Sequence, residues 1–202
     1  MFIGFYGLFK KRFSFFYLKI FPFFLLISLI VELIGLYAIY ILKKKSNLFI
    51  YNPFTAFEFV FYMWLLRAII RNKLVKNILL VLLLLYPIGA GINIYFFQGV
   101  NGFHSITYAL GCLLIITFSS FYFFELFLIP EPVSLLIEPA FWICTGLLFF
   151  YSCTFPLFGL SNIVTSLPRI IINNIEIIIN ILNSLLYLMF SIAFLCKIKE
   201  TK

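Results

Sequence analysis

The stretch IFPFFLLISLIVELIGLYAIYIL, residues 20–42, decides the fold of this chain. It is a continuous apolar run that contains one charged residue, Glu32, and it is followed by the basic cluster Lys43–Lys45. A helix needs about 20 apolar residues to cross about 30 Å of hydrocarbon, and this run reaches that length. Because backbone N–H and C=O groups in lipid must be satisfied within the segment, the run predicts a transmembrane helix.

The composition of the whole chain agrees with a membrane protein. Of its 202 residues, 64% are hydrophobic and 11% are charged, whereas soluble domains carry about 25% charged residues. The formal net charge of +8 at pH 7 does not indicate a nucleic-acid partner, because the basic residues lie in short clusters between apolar runs. Such clusters determine membrane topology and contact anionic headgroups. We therefore expect membrane lipids, and no nucleic acid, as partners.

Six segments are long and apolar enough to span a membrane, and a short apolar segment, residues 1–9, precedes them. We expect helices rather than a β-barrel, because barrel strands would alternate apolar and polar residues over about 10 positions. The sequence predicts an all-α fold, a polytopic transmembrane helix bundle that forms a single integral membrane domain over residues 1–202. The predicted spans are about 20–42, 53–70, 77–97, 105–129, 139–160 and 174–196.

Proline and glycine positions give further expectations about these spans. Pro22, Pro53 and Pro139 fall in the first turns of their predicted spans, where a missing N–H costs nothing. Pro87 lies inside the third span and is expected to bend it. Residues 89–91, Gly-Ala-Gly, are small and predict the close approach of a neighbouring helix.

The distribution of positive charge predicts the orientation. With six spans, the N-terminus, the second and fourth loops and the C-terminus share one side, and most lysines and arginines fall there. Because cytoplasmic loops carry an excess of Lys and Arg, we expect both termini in the cytoplasm and the protein in the cell inner membrane. The cluster Lys43–Lys45 lies on the other side and argues against this orientation.

Most polar residues within the spans fall in the outer half of the bilayer, and the inner half has little beyond Glu125. A charge at mid-bilayer costs roughly 2.5–3.5 kcal/mol, so Glu32 and Glu58 are expected to face the bundle interior. Antiparallel threading brings the two carboxylates to similar depth. We predict a polar ligand-binding cavity open toward the periplasmic leaflet and lined by Glu32, Asn52, Glu58, Asn93, His104, Tyr151 and Asn180. The alternative is that these side chains act only as interhelical hydrogen-bond partners.

The sequence contains no established catalytic or metal-binding motif. Because His104 is the single histidine and no HExxH or CxxC spacing occurs, we expect no metal and no cofactor. The four cysteines lie in or beside apolar segments and are expected to be free thiols. A nucleophile with His104 as its base stays open, because triads are recognised in space, and no catalytic residue is assigned.

Three functions fit these observations. The first is a small sensory or receptor-like module, in which the outer cavity binds a small ligand or a lipid headgroup and the loops signal to a cytoplasmic or membrane partner in trans. The second is a membrane-embedded lipid-modifying enzyme with Glu32, Glu58 and His104 as acid–base groups. The third is a small proton-coupled transporter, for which membrane glutamates are typical. The first is favoured, and the question of enzyme activity stays open.

Four stretches carry a resemblance to a known family. They resemble an uncharacterised family of multi-spanning membrane proteins of Bacteroidetes, to which no activity is assigned. Its members begin with one more span, so the resemblance implies a seven-span bundle with an outside N-terminus, in which residues 1–9 end the additional span. The stretches are LKIFPFFLLISLIVELIG (residues 18–35), LFIYNPFTAFEFVFY (48–62), HSITYALG (104–111) and FWICTGLLFFYS (141–152).

Overall fold

The protein is an all-α helix bundle, as the sequence predicts. The computed structural model describes residues 1–10, 13, 15–43, 46–99, 102–128, 135–159 and 169–196, and these residues form seven α-helices and no strand. Two of the helices continue into a π-helical turn. The helices are α1 (Phe2–Phe9), α2 (Phe16–Tyr40), α3 (Leu48–Ile69), α4 (Lys73–Ile92, continuing as Asn93–Gln98), α5 (Ser105–Phe127), α6 (Pro139–Thr154, continuing as Phe155–Gly159) and α7 (Arg169–Leu195).

Five of these helices are long and apolar enough to cross a membrane, one fewer than the six spans that the sequence predicts. They are α2, α4 with its π-helical turn, α5, α6 with most of its π-helical turn and the part of α7 from Asn174 onward. The predicted span 53–70 does form a helix, α3, but α3 is not among the five. Asn52, Glu58 and Arg67 lower its apolar character. A helix enclosed by other helices meets little lipid, so it does not need an apolar surface all round.

Helix α3 lies in the middle of the bundle. It packs against α2, α4 and α5, while α6 joins α5 to α7 and the short α1 contacts α2 and α7. Tyr62, Met63 and Leu66 of α3 are at most 1% exposed. We call the end of the bundle where α2, α4 and α6 begin the first face, and the end where α3, α5 and α7 begin the second face. Side chains on α3 are therefore surrounded by groups from several other helices.

Aromatic rings fill the half of the bundle nearer the first face. Phe24 of α2 stacks on Phe61 of α3 with ring centroids 3.8 Å apart, and Phe21 meets Phe190 of α7 at 4.7 Å. Phe61 in turn contacts Trp64 at 5.6 Å. Aromatic pairs of this kind contribute about 0.5–1.5 kcal/mol each beyond their buried area. These contacts join α2, α3 and α7 into one packed layer.

A close helix approach occurs at Gly111, and not at Gly89 or Gly91 of the predicted run 89–91. A Cβ atom at Gly111 of α5 would lie 2.6 Å from the ring of Phe59 on α3, so the absence of a side chain lets this ring lie against the α5 backbone. A Cβ at Gly89 or Gly91 would meet nothing within 4 Å. The two glycines therefore have no neighbouring helix against them, whereas Ala90 between them is 3% exposed and lies beside Asn52 and Ala56 of α3.

Two helices begin earlier than predicted, which changes the position of their prolines. Helix α2 begins at Phe16 and α3 begins at Leu48, so Pro22 and Pro53 lie inside helices rather than in first turns. The predicted positions of Pro139 and Pro87 agree with the structure: Pro139 is the first residue of α6, and Pro87 lies within α4. Hydropathy places the start of each of these helices too late in the sequence, because aromatic and polar residues precede the most apolar part of each span.

Parts of the orientation prediction lie outside the described residues. These are the basic residues Lys11, Arg12, Lys44, Lys45, Lys197, Lys199 and Lys202.

Candidate ligand-binding site

A cavity of about 590 Å³ opens between α2, α3, α5, α6 and α7. We call it the central cavity. It combines two carboxylates, small polar groups and a wall of aromatic rings. Its lining residues are Met1, Leu25, Ser28, Leu29, Glu32, Tyr51, Phe54, Thr55, Glu58, Tyr108, Phe150, Tyr151, Asn180, Asn183, Ser184 and Tyr187. A volume of this size lies within the range of small-molecule sites, about 300–1,000 Å³.

Glu58 is the deeper of the two carboxylates. It lies at the middle of α3, ten positions after the helix start, which corresponds to a depth of about 15 Å at 1.5 Å per residue. Its side chain is half-buried and forms a hydrogen bond with the Tyr62 side chain one turn further along α3. It also interacts electrostatically with Tyr108 and Tyr151. Among the described residues, the side-chain hydrogen-bond partner of Glu58 is therefore the Tyr62 hydroxyl.

Glu32 lies nearer the mouth of the cavity. It is eight positions before the end of α2, about 12 Å along the helix axis, and its side chain is exposed. It is close enough to Glu58 and to Tyr51 to interact with both electrostatically. Tyr51 itself packs over Gly35 of α2, where a Cβ atom would lie 2.7 Å from its hydroxyl oxygen. Glu32 and Glu58 thus meet in one space, with Tyr51 beside them.

The back wall of the central cavity is aromatic. Tyr151 of α6 is 2% exposed, and its ring lies 5.2 Å from that of Phe59 and 5.9 Å from that of Tyr62. The ring of Tyr108 lies 5.5 Å from Phe59 on the other side. Each ring is fixed by its neighbours, so the wall has a defined shape.

Helix α7 supplies amide and hydroxyl groups. Asn180, Asn183 and Tyr187 line the cavity at spacings of three and four residues, which puts them on one helical face. Ser184 lies on the same face, and its hydroxyl donates a hydrogen bond to the carbonyl oxygen of Asn180 at 2.7 Å. Side-chain amides such as those of Asn180 and Asn183 can offer both donors and acceptors to a ligand.

Asn52, Asn93 and His104 lie in a separate polar network, which we call the α4–α5 cluster together with Gln98 and Thr107. Asn52 donates to the carbonyl oxygen of Gly102 at 2.8 Å, and Asn93 donates to Gln98 at 2.7 Å. The Nε2 atom of His104 lies 2.8 Å from the carbonyl oxygen of Gly99. A carbonyl oxygen can only accept, so this nitrogen carries the proton. The cluster holds the connection between α4 and α5.

This network has no room for a ligand. Asn52, Asn93 and His104 are 5–7% exposed, and the space beside Asn52 and His104 amounts to only about 10 Å³. Glu32, Glu58, Tyr151 and Asn180 thus share the central cavity, whereas the other three predicted site residues do not reach it. Tyr108 and Thr55 line both spaces and form part of the wall between them.

The sequence prediction missed several residues that line the central cavity. The lining positions on α3 are 51, 54, 55 and 58, those on α2 are 25, 28, 29 and 32, and only Glu58 and Glu32 of these were predicted. Spacings of three, four and seven residues place such positions on one face of a helix. Taking the residues three, four or seven positions before each glutamate would have identified Ser28, Tyr51 and Thr55 as lining residues. Asn52 would have been excluded in the same way.

The first face of the bundle holds a further carboxylate, Glu125, with a different role. Its two oxygens accept the backbone N–H groups of Arg71 at 2.9 Å and Asn72 at 2.7 Å. Glu125 of α5 therefore fixes the turn between α3 and α4. Within the described residues, no group of three or more His, Cys, Asp or Glu side chains is arranged to hold a metal ion.

Comparisons with protein-family models, with curated proteins and with solved structures found no match to this chain. The resemblance to the Bacteroidetes membrane family therefore stays an expectation from the sequence, and the function is argued from the cavity.

Proposed function

We propose that this protein is a small receptor-like module of the cell inner membrane, with both termini in the cytoplasm. The central cavity binds a small ligand, and its occupancy is passed to a cytoplasmic or membrane partner in trans. The observation that carries the proposal is the cavity itself, which brings together Glu32, Glu58, Asn180 and Tyr151 from four helices within a membrane bundle. Ionisable residues inside a membrane are costly, and they commonly mark functional sites.

The packing below the cavity supports a signalling role. Tyr62 forms a hydrogen bond with Glu58, and the centroid of its ring lies 5.3 Å from that of Phe24 and 5.9 Å from that of Phe61. Phe61 contacts Trp64, and Trp64 contacts Phe16 at the start of α2. A continuous set of packed rings therefore runs from the cavity floor toward the first face. A ligand that moves Glu58 would displace these rings, because packed cores shift between discrete arrangements.

The other two functions have less support from the geometry. An enzyme using Glu32, Glu58 and His104 requires these side chains to converge, but His104 is bonded to Gly99 in the α4–α5 cluster. A transporter requires a route to the first face, and the stacked rings of Phe24 and Phe61 fill the bundle below the cavity. The receptor-like function needs neither convergence with His104 nor a continuous pathway.

The test is to fill the cavity covalently and to record the effect at the first face. Ser28 lines the cavity, so Ser28→Cys, in a background without the four native cysteines, gives an attachment point for N-phenylmaleimide. Trp64 is the reporter once Trp142→Phe has removed the other tryptophan. We expect the fluorescence emission of Trp64 to shift when Ser28→Cys is labelled.

The matched control is Ser120→Cys, because Ser120 is exposed on α5 and does not line the cavity. Labelling at this position should leave the emission of Trp64 unchanged. Complete labelling of Ser28→Cys without any change at Trp64 would overturn the receptor-like function, since occupancy would then have no effect outside the cavity.

A further inference from the structure

Among the described residues, the charged side chains that line the central cavity are all negative. Glu32 and Glu58 line it, and no Lys, Arg or His side chain of the described residues does. The two carboxylates interact electrostatically with each other. Like charges repel each other, and the described lining has no basic side chain to balance them. A cation that enters between Glu32 and Glu58 relieves this repulsion and supplies the balancing charge.

The remaining wall suits an organic cation. Six of the lining residues are aromatic, namely Tyr51, Phe54, Tyr108, Phe150, Tyr151 and Tyr187. The face of an aromatic ring carries partial negative charge and attracts ammonium groups within about 6 Å of its centroid. Cages of several such rings are the usual way in which proteins recognise quaternary ammonium ligands.

The size of the cavity distinguishes an organic cation from a metal ion. Metal ions are held by oxygen ligands at about 2.0–2.6 Å, in a tight shell of six to eight groups. The central cavity has a volume of about 590 Å³, and each water molecule takes about 30 Å³ in the liquid. A bare metal ion would leave most of this space unfilled, whereas an amine with a hydrocarbon part would occupy it.

Building on the receptor-like function, we propose that the ligand of the central cavity carries an organic ammonium group. The ammonium lies between Glu32 and Glu58, and its hydrocarbon part lies against the tyrosine and phenylalanine rings. A water-soluble amine and the amine of a lipid headgroup offer the same chemistry. Met1 with its N-terminal amino group also belongs to the described lining, but no basic side chain there is available for a phosphate, so the side chains of the lining favour the ammonium.

The test compares thiol reagents of opposite charge at a cavity cysteine. Ser28→Cys in the cysteine-free background is treated with trimethylammonium-ethyl methanethiosulfonate and with its anionic sulfonatoethyl counterpart. Each rate is divided by the rate of the same reagent with free cysteine. Because a site lined by one sign of charge concentrates ions of opposite sign, we expect the cationic reagent to react at least about tenfold faster. Glu32→Gln and Glu58→Gln should each reduce this ratio.

Two comparisons keep the result interpretable. Ser184→Cys, on α7 and also in the lining, repeats the measurement if Ser28→Cys does not fold. Ser120→Cys reports the charge preference of a position outside the cavity. Rapid labelling of both cavity positions without charge preference would overturn the ammonium proposal and leave the receptor-like function standing. No labelling of either by any reagent would overturn both, because there would be no accessible cavity.

Competition with choline then tests equilibrium binding and its source. Choline should slow the labelling of Ser28→Cys, whereas its uncharged isostere, in which a tert-butyl group replaces trimethylammonium, should not. Equal protection by both would overturn the ammonium proposal. Nanodiscs of phosphatidylethanolamine and of phosphatidylglycerol distinguish the two sources of the ammonium group. Slower labelling only in phosphatidylethanolamine indicates that the ligand is the amine of a lipid headgroup. Equal labelling rates in the two lipids indicate that the ligand is a soluble amine.

Discussion

The contact between α3 and α5 gives the sharpest stability prediction. A methyl group added at Gly111 would lie 2.6 Å from the Phe59 ring. This ring cannot move aside easily, because it is 1% exposed and has Tyr86, Tyr108 and Tyr151 around it at centroid distances of 5.9, 5.5 and 5.2 Å. Gly111→Ala should therefore destabilise the protein by overpacking, which typically costs about 1–3 kcal/mol.

Gly89→Ala is the matched control for this substitution. Both glycines lie inside helices, so each replacement gains up to about 1 kcal/mol of helix propensity, but a Cβ at Gly89 meets nothing within 4 Å. The difference between the two variants isolates the overpacking cost of about 1–3 kcal/mol. For a chain of this size that corresponds to a difference in melting temperature of about 3–10 °C.

Thermal unfolding in detergent, followed by circular dichroism, measures this difference. Phe59→Leu should rescue Gly111→Ala in part, because a smaller side chain removes the clash, and the two substitutions should be clearly non-additive. If Gly111→Ala and Gly89→Ala have the same melting temperature, the close packing of α3 on α5 does not exist. The back wall of the cavity would then be described incorrectly.

Two other substitutions test the turn at the first face and the mouth of the cavity. Glu125→Ala should lower the unfolding free energy by about 1.5–3 kcal/mol, because it removes the acceptor of the Arg71 and Asn72 N–H groups. Glu125→Gln keeps one acceptor oxygen and should lose less stability in the same unfolding assay. Equal losses in the two variants would contradict the role assigned to the carboxylate. Gly35→Ala should displace the Tyr51 ring into the mouth of the cavity. Thiol labelling at Ser28→Cys should then be several-fold slower, while the melting temperature stays nearly unchanged. An unchanged labelling rate would contradict the position of Tyr51.

Much of the fold could be predicted from the sequence because hydropathy reports the requirement of the bilayer directly. Five of the predicted spans coincide with apolar helices within a few residues at each end. The sequence also predicts that α3 is a helix, but it does not predict that other helices surround α3. A central helix meets other helices rather than lipid, and its polar residues therefore lower the hydropathy signal without placing it outside the bundle.

The candidate site was harder to predict because depth along a helix does not give direction around it. Glu32 and Glu58 were placed at one depth, and both line the central cavity. Asn52 was placed in the same half of the bundle, yet it points to the α4–α5 connection, where Gly102 accepts its hydrogen bond. His104 likewise belongs to that connection. Direction depends on which neighbours surround each helix, and that information comes only with the tertiary structure.

Whether Glu32 and Glu58 face the same space can be measured by cross-linking. Glu32→Cys and Glu58→Cys are combined in the cysteine-free background and treated with a short bifunctional methanethiosulfonate, and the intact mass is measured. We expect one bridging adduct within a single chain. The control pair of Glu32→Cys with Leu84→Cys, whose residue is 65% exposed on α4, should give two separate adducts. Two separate adducts for the glutamate pair as well would contradict the shared cavity.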